Sequence, residues 1–218
     1  MNRGVRRLLL SLFAWLALVP AAYPFSIDTV LWNPPLWEYN INATGTPDNA
    51  NEFTIVPAAG QAWEDVNTSE INLTYLGTTP KAYAGSLFAT STEDGTDVFF
   101  WDETNQVGFG SAVGRSMTID DFVARIESDV ALNGQSTTWN NDATLRGVSM
   151  HEIGHSLGME HTGAAFAVMT ASLGATTLQQ DDIDGITAAY PDTTAPAAPV
   201  ITTNGGLAFQ VGGNPGTV

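Results

Sequence analysis

All three histidines of this 218-residue chain fall in one eleven-residue window, His151-Glu-Ile-Gly-His155-Ser-Leu-Gly158-Met-Glu-His161. The spacing narrows the folds open to the chain. On a helix, residues four apart share a face about 5.4 Å apart along the axis, so the ring nitrogens of His151 and His155 can reach one metal ion at roughly 2.0–2.1 Å. Glu152 lies one step round the helix. It is displaced from coordination but can reach a water at the ion, which makes it the candidate general base. Gly158 can enter left-handed backbone without a Cβ clash and end the helix, so that the chain doubles back and brings His161 to the same ion. Three nitrogen ligands and one open position are the pattern of a catalytic zinc ion. A chance set of histidines on a polar helix face would have no reason to carry the glutamate and the glycine at these offsets.

This extended motif resembles the zinc site of the metzincin metallopeptidases, and the resemblance runs beyond it. Met169, in Ala167-Val168-Met169-Thr170, resembles their Met-turn, the methionine loop beneath the metal. The segment Leu178 to Tyr190 looks like the C-terminal helix of the matrixin subgroup. Upstream, Leu36 to Ile41 and Ala58 to Val66 resemble its first strand and first helix. The similarity extends from about residue 32 to residue 191. It implies an α+β fold, a twisted mixed sheet of about five strands with three helices and zinc in the cleft. It also implies a secreted zinc endopeptidase with His151, His155 and His161 as ligands, Glu152 as the catalytic base, Met169 as support and Gly158 as the helix-ending turn. Three departures stand out. No histidine remains for a second zinc, and the absence of cysteine rules out latency by a thiolate on the metal. Where the subgroup has a proline and a tyrosine lining the specificity pocket, this chain has Thr170-Ala171-Ser172-Leu173.

The N-terminus reads as a secretory signal over residues 1–21: Arg3, Arg6 and Arg7, an apolar run from Leu8 to Val19, then Pro20-Ala21-Ala22. That run is shorter than the roughly twenty residues of a membrane span. Residues 22–192 form the expected catalytic domain, and residues 193–218 a Pro/Thr/Gly-rich linker or tail. Loss of the leader would take the formal charge from -16 to about -19. So acidic a protein disfavours nucleic acid and anionic membrane as partners; the resemblance implies a protein or peptide substrate, and a monomer is the expectation. With no disulfide available, bound ions are candidates for stabilisation. Calcium at Glu93-Asp94-Gly95-Thr96-Asp97 is one.

Hydrophobic residues make up 44 % of the chain, enough to fill a sizeable core. Strands are predicted at Leu36–Asn42, Glu70–Leu76, Val98–Trp101 and across Ile126, Ser128, Val130 and Leu132. A short helix is predicted with Pro57 in its first turn. The glycine-rich stretch Val107–Gly114 is read either as an edge strand that pairs with an extended substrate or as an ordinary turn. Gly147 and Gly154, unfavourable within a helix, suggest a close backbone or substrate. Two other functions share the motif: a binding module with structural zinc, and a cell-wall amidase.

Overall fold

The computed structural model describes residues 25–81, 93–135, 139–172 and 174–194. The expected leader and nearly all of the expected tail lie outside them. The chain order is β1 (Ser26–Ile27), β2 (Leu36–Asn42), α1 (Glu52–Glu64), β3 (Asn72–Thr79), β4 (Asp97–Asp102), β5 (Gly114–Asp120), β6 (Arg125–Asn133), α2 (Asp142–Ser156), β7 (Met159–Glu160) and α3 (Gln180–Ala189). Five strands form one sheet in the order β3-β2-β4-β6-β5. All its pairings are parallel except β5 with β6, and β1 pairs with β7 in a separate two-stranded ribbon. This is the α+β, metzincin-type architecture: a five-stranded mixed sheet with three helices.

Alternation builds the sheet. In β2, Trp37, Tyr39 and Ile41 point inward and are buried, while Leu36 and Glu38 face out. Trp37 and Tyr39 stack with ring centroids 4.6 Å apart. In β4, Phe99 and Trp101 join the main core with α1 and α2, whereas Val98 and Phe100 face a smaller cluster with Val107, Phe109 and Ala131. The loop after β4 covers that second face. Helices α1 and α2 are joined by Trp63, whose indole N–H donates to Met150 O at 2.9 Å. Their N-termini are joined by Asn49 and Asn51, which both donate to the Asp142 carboxylate.

Two expectations need correction. Helix α1 begins at Glu52, so Pro57 sits inside it and not in its first turn. The extra turn is held by Asn51 O, which accepts from Thr54 N and Ile55 N, and by the buried Glu52 carboxylate, which accepts from Thr46 N. The glycine-rich stretch is mostly turn, and the edge strand begins at its last residue, Gly114.

The expected calcium loop meets β6 through carboxylates that accept amide protons. Glu127 accepts from Asp94 N and Gly95 N, Asp97 from Ser128 N, and Asp129 from Val98 N. Among the described residues, the metal-binding geometry of three close ligand atoms is met by the three histidines and not by this loop. Burial, reinforced by the neighbouring acids, pushes Asp97 and Asp129 up to about 7. A carboxyl raised in the folded state stabilises fully below its unfolded value near 3.8, and that contribution is lost as pH rises through about 7. Asp129→Asn keeps the acceptor oxygen without the charge. It should therefore raise the melting temperature at pH 8 and leave it nearly unchanged at pH 4, as measured by thermal unfolding across that range.

Candidate metal centre and cleft

Helix α2 is capped by Asn141, whose side chain accepts from Thr144 N, and presents two faces. Met150, Ile153 and Leu157 are fully buried in the core. Val148, His151, Glu152 and His155 line a cleft of about 780 Å³ on the other side. Gly158 follows with φ +87°, and its missing Cβ leaves room for Leu31. The next two residues form β7, paired with β1 as Ser26 opposite Glu160 and Ile27 opposite Met159. This pairing carries the chain to His161.

The three imidazoles converge. Nε2 of His151 lies 3.1 Å from Nε2 of His155 and 3.2 Å from Nε2 of His161. The opposite nitrogens fix the tautomers: Nδ1 of His151 is 2.7 Å from Val168 O, and Nδ1 of His155 is 2.7 Å from Met159 O. A carbonyl only accepts, so each Nδ1 carries the proton and each facing Nε2 a lone pair. Two such nitrogens at 3.1 Å cannot hydrogen-bond to each other; they repel unless a cation lies between them. The donor set therefore fits zinc, which takes neutral imidazole nitrogens oriented by a carbonyl on the far side. Burial, followed by the charge of neighbouring imidazoles, lowers His155 to about 4; burial likewise lowers His151. Both are thus held in the neutral form that binds metal.

Beneath the cluster, Met169 packs against the helix. A Cβ on Gly154 would overlap Met169 Sδ and come within 2.9 Å of the Trp63 ring. The close neighbour of Gly154 is thus a pair of side chains, and not the backbone or substrate expected from the sequence. The Met169 loop is held from α3: the fully buried Asp182 accepts from Val168 N at 2.9 Å, Met169 N at 3.0 Å and Gln179 N at 2.8 Å.

Glu152 is 5 % exposed. Its carboxyl lies against Gly114, where an added Cβ would meet Oε1 at 2.5 Å and Cδ at 2.7 Å. Burial pushes it up to about 8, opposed by the Ser116 amide and the charge of Arg115. A nearby metal cation would draw it back down. Gly114 and Ser116 were missed as site residues in the sequence. The signal for Gly114 was its place at the end of a glycine-rich run; Ser116 had none, because its role depends on strand pairing.

The architecture and the histidine cluster place the molecule among the metzincin-type α+β proteins. The matrixin family model, peptidase M10, matches residues 39–191, and the chain belongs to that family. Matrixins are zinc-dependent metalloendopeptidases that act on proteins or peptides. The interstitial collagenase of Bos taurus is 45 % identical over 62 residues, covering 27 % of this chain and 13 % of the collagenase. The matched stretch is thus a small fraction of that relative's length.

Gly154→Ala forces Met169 or Trp63 to move. It should destabilise the fold by about 1–3 kcal/mol, the range for overpacking a filled core, as read by denaturant unfolding.

Proposed function

We propose that the chain is a secreted endopeptidase in which His151, His155 and His161 hold one zinc ion and Glu152 is the general base. The observation that carries this reading is the convergence of imidazole lone pairs beside a buried carboxylate in an open cleft. Zinc at such a centre supplies Lewis acidity, making water acidic near neutral pH and drawing charge from a carbonyl oxygen. Glu152 takes the proton of the attacking water on a carboxylate oxygen and returns it to the leaving nitrogen. Gly114 leaves space for that carboxyl, and the Ser116 amide orients it. Gly158 turns the chain toward His161, and Met169 supports the helix from below without binding metal.

Strand β5 supports the endopeptidase reading over an amidase or a binding module. It pairs with β6 on one side and lies at the edge of the sheet on the other, directly along the cleft. An extended peptide adding to that edge would be held through its main chain, irrespective of side chains. Thr170, Ala171 and Ser172 also line the cleft and are placed to contact substrate side chains. No helix among the described residues is long and apolar enough to cross a membrane. Export rests on the leader-like residues 1–21, with residues 22–192 as a monomeric catalytic domain and 193–218 as its tail.

Casein and peptidoglycan, each incubated with the purified protein with and without a zinc chelator, separate the readings. Chelator-sensitive cleavage of casein is expected. Release of peptide from peptidoglycan alone would favour the amidase, and no activity on either would favour the binding module. Glu152→Gln should retain zinc by elemental analysis and lose about 10²–10⁴-fold in casein hydrolysis. Retained turnover would refute the base.

A further inference from the structure

The last carbonyls of a helix have no donor within it. At the end of α2 they are met from three separate parts of the chain. Arg125 Nη1 donates to His155 O at 3.1 Å and Ser156 O at 3.2 Å. The Trp32 indole N–H donates to Ser156 O at 2.8 Å, the Tyr190 hydroxyl to Leu157 O at 2.8 Å, and the Asp28 amide to Gly158 O at 2.8 Å.

Arg125 is the hub of this arrangement. Its side chain is 1 % exposed, with Nη2 paired to Asp28 at 2.7 Å and Nε to Asp120 at 3.1 Å. Its backbone N–H donates to Leu31 O, which ties the segment before β2 to the start of β6. Desolvating a guanidinium is costly unless its donors are matched, and here a planar fork reaches two carboxylates and two carbonyls together. Two carboxylates on one guanidinium leave a formal local charge of about -1, so the hub adds no net repulsion against a metal cation.

The turn that is gripped lies between two of the cluster's histidines. His155 belongs to the last turn of α2, Gly158 reverses the chain, and His161 follows three residues later. We propose that Arg125 is a positioning residue for the histidine cluster: by holding His155 O and Ser156 O against Asp28 and Asp120, it keeps the three imidazoles assembled before the metal arrives. Zinc affinity, and not stability alone, then depends on a side chain that touches no metal. The inference rests on the zinc-site reading above and extends it to the ion-paired hub behind the helix.

The test uses the full chain as wild type, Arg125→Lys and Asp120→Asn. Zinc affinity is measured by competition with a chromophoric chelator, the ligand field by the visible spectrum of the cobalt-loaded protein, and stability by thermal unfolding. Lysine keeps the charge, but one ammonium cannot span both carboxylates and both carbonyls. Arg125→Lys should bind zinc about tenfold or more weakly, in the range seen when groups that orient metal ligands are lost, with a shifted cobalt spectrum. Asp120→Asn should move both readouts in the same direction by less. A folded Arg125→Lys with wild-type zinc affinity and cobalt spectrum would overturn the proposal, whatever its melting temperature. Should Arg125→Lys not fold, wild-type affinity in Asp120→Asn would overturn it equally. A wild type that binds no zinc would instead refute the metal-site reading, and this inference with it.

Discussion

Two unprotonated imidazole nitrogens 3.1 Å apart repel each other, and much of the structure around α2 serves to hold them there. Helix geometry alone puts His151 and His155 on one face, but it does not orient their rings. That task falls to Val168 O and Met159 O, each accepting from an Nδ1. Those carbonyls are in turn fixed from a distance: the amides of Val168 and Met169 by the buried Asp182 of α3, and Met159 by the pairing of β7 with β1. The C-terminal helix and the two-residue ribbon thus acquire a reason to exist that their own small buried surfaces would not provide. They are the outer supports of one cluster of lone pairs.

What could be read in the sequence follows the range of the forces involved. Strand β2 was visible to the residue, because the aromatic and β-branched content of Leu36–Asn42 is a local signal of a strand. The motif from His151 to His161 was visible because helix periodicity sets its spacing. Strand β5 was missed, since an edge strand with no buried residue from Arg115 to Asp120 has little contrast between its faces. Strands β1 and β7 are two residues each, too short to show any period. The start of α1 was misplaced because Pro57 is a stronger local stop than the long-range contacts of Glu52 and Asn51 are a local start. The roles of Gly114 and Ser116 beside Glu152 were hidden for the same reason. They arise where the edge strand crosses α2, and no window of neighbouring residues contains both.

The acidic surplus belongs to this same account. Several of the chain's carboxylates accept backbone amides of loops. Asp102 takes Thr104 N and Val107 N, Asp121 takes Val123 N and Ala124 N, Glu127 takes Asp94 N and Gly95 N, and Asp182 closes the methionine loop onto α3. A chain without cysteine cannot cross-link such loops covalently. Charge-assisted acceptors do the equivalent work, since a hydrogen bond to an ionised group is roughly twice as strong as a neutral one. None of these four carboxylates lines the cleft, where the ligand atoms that come together among the described residues are those of His151, His155 and His161.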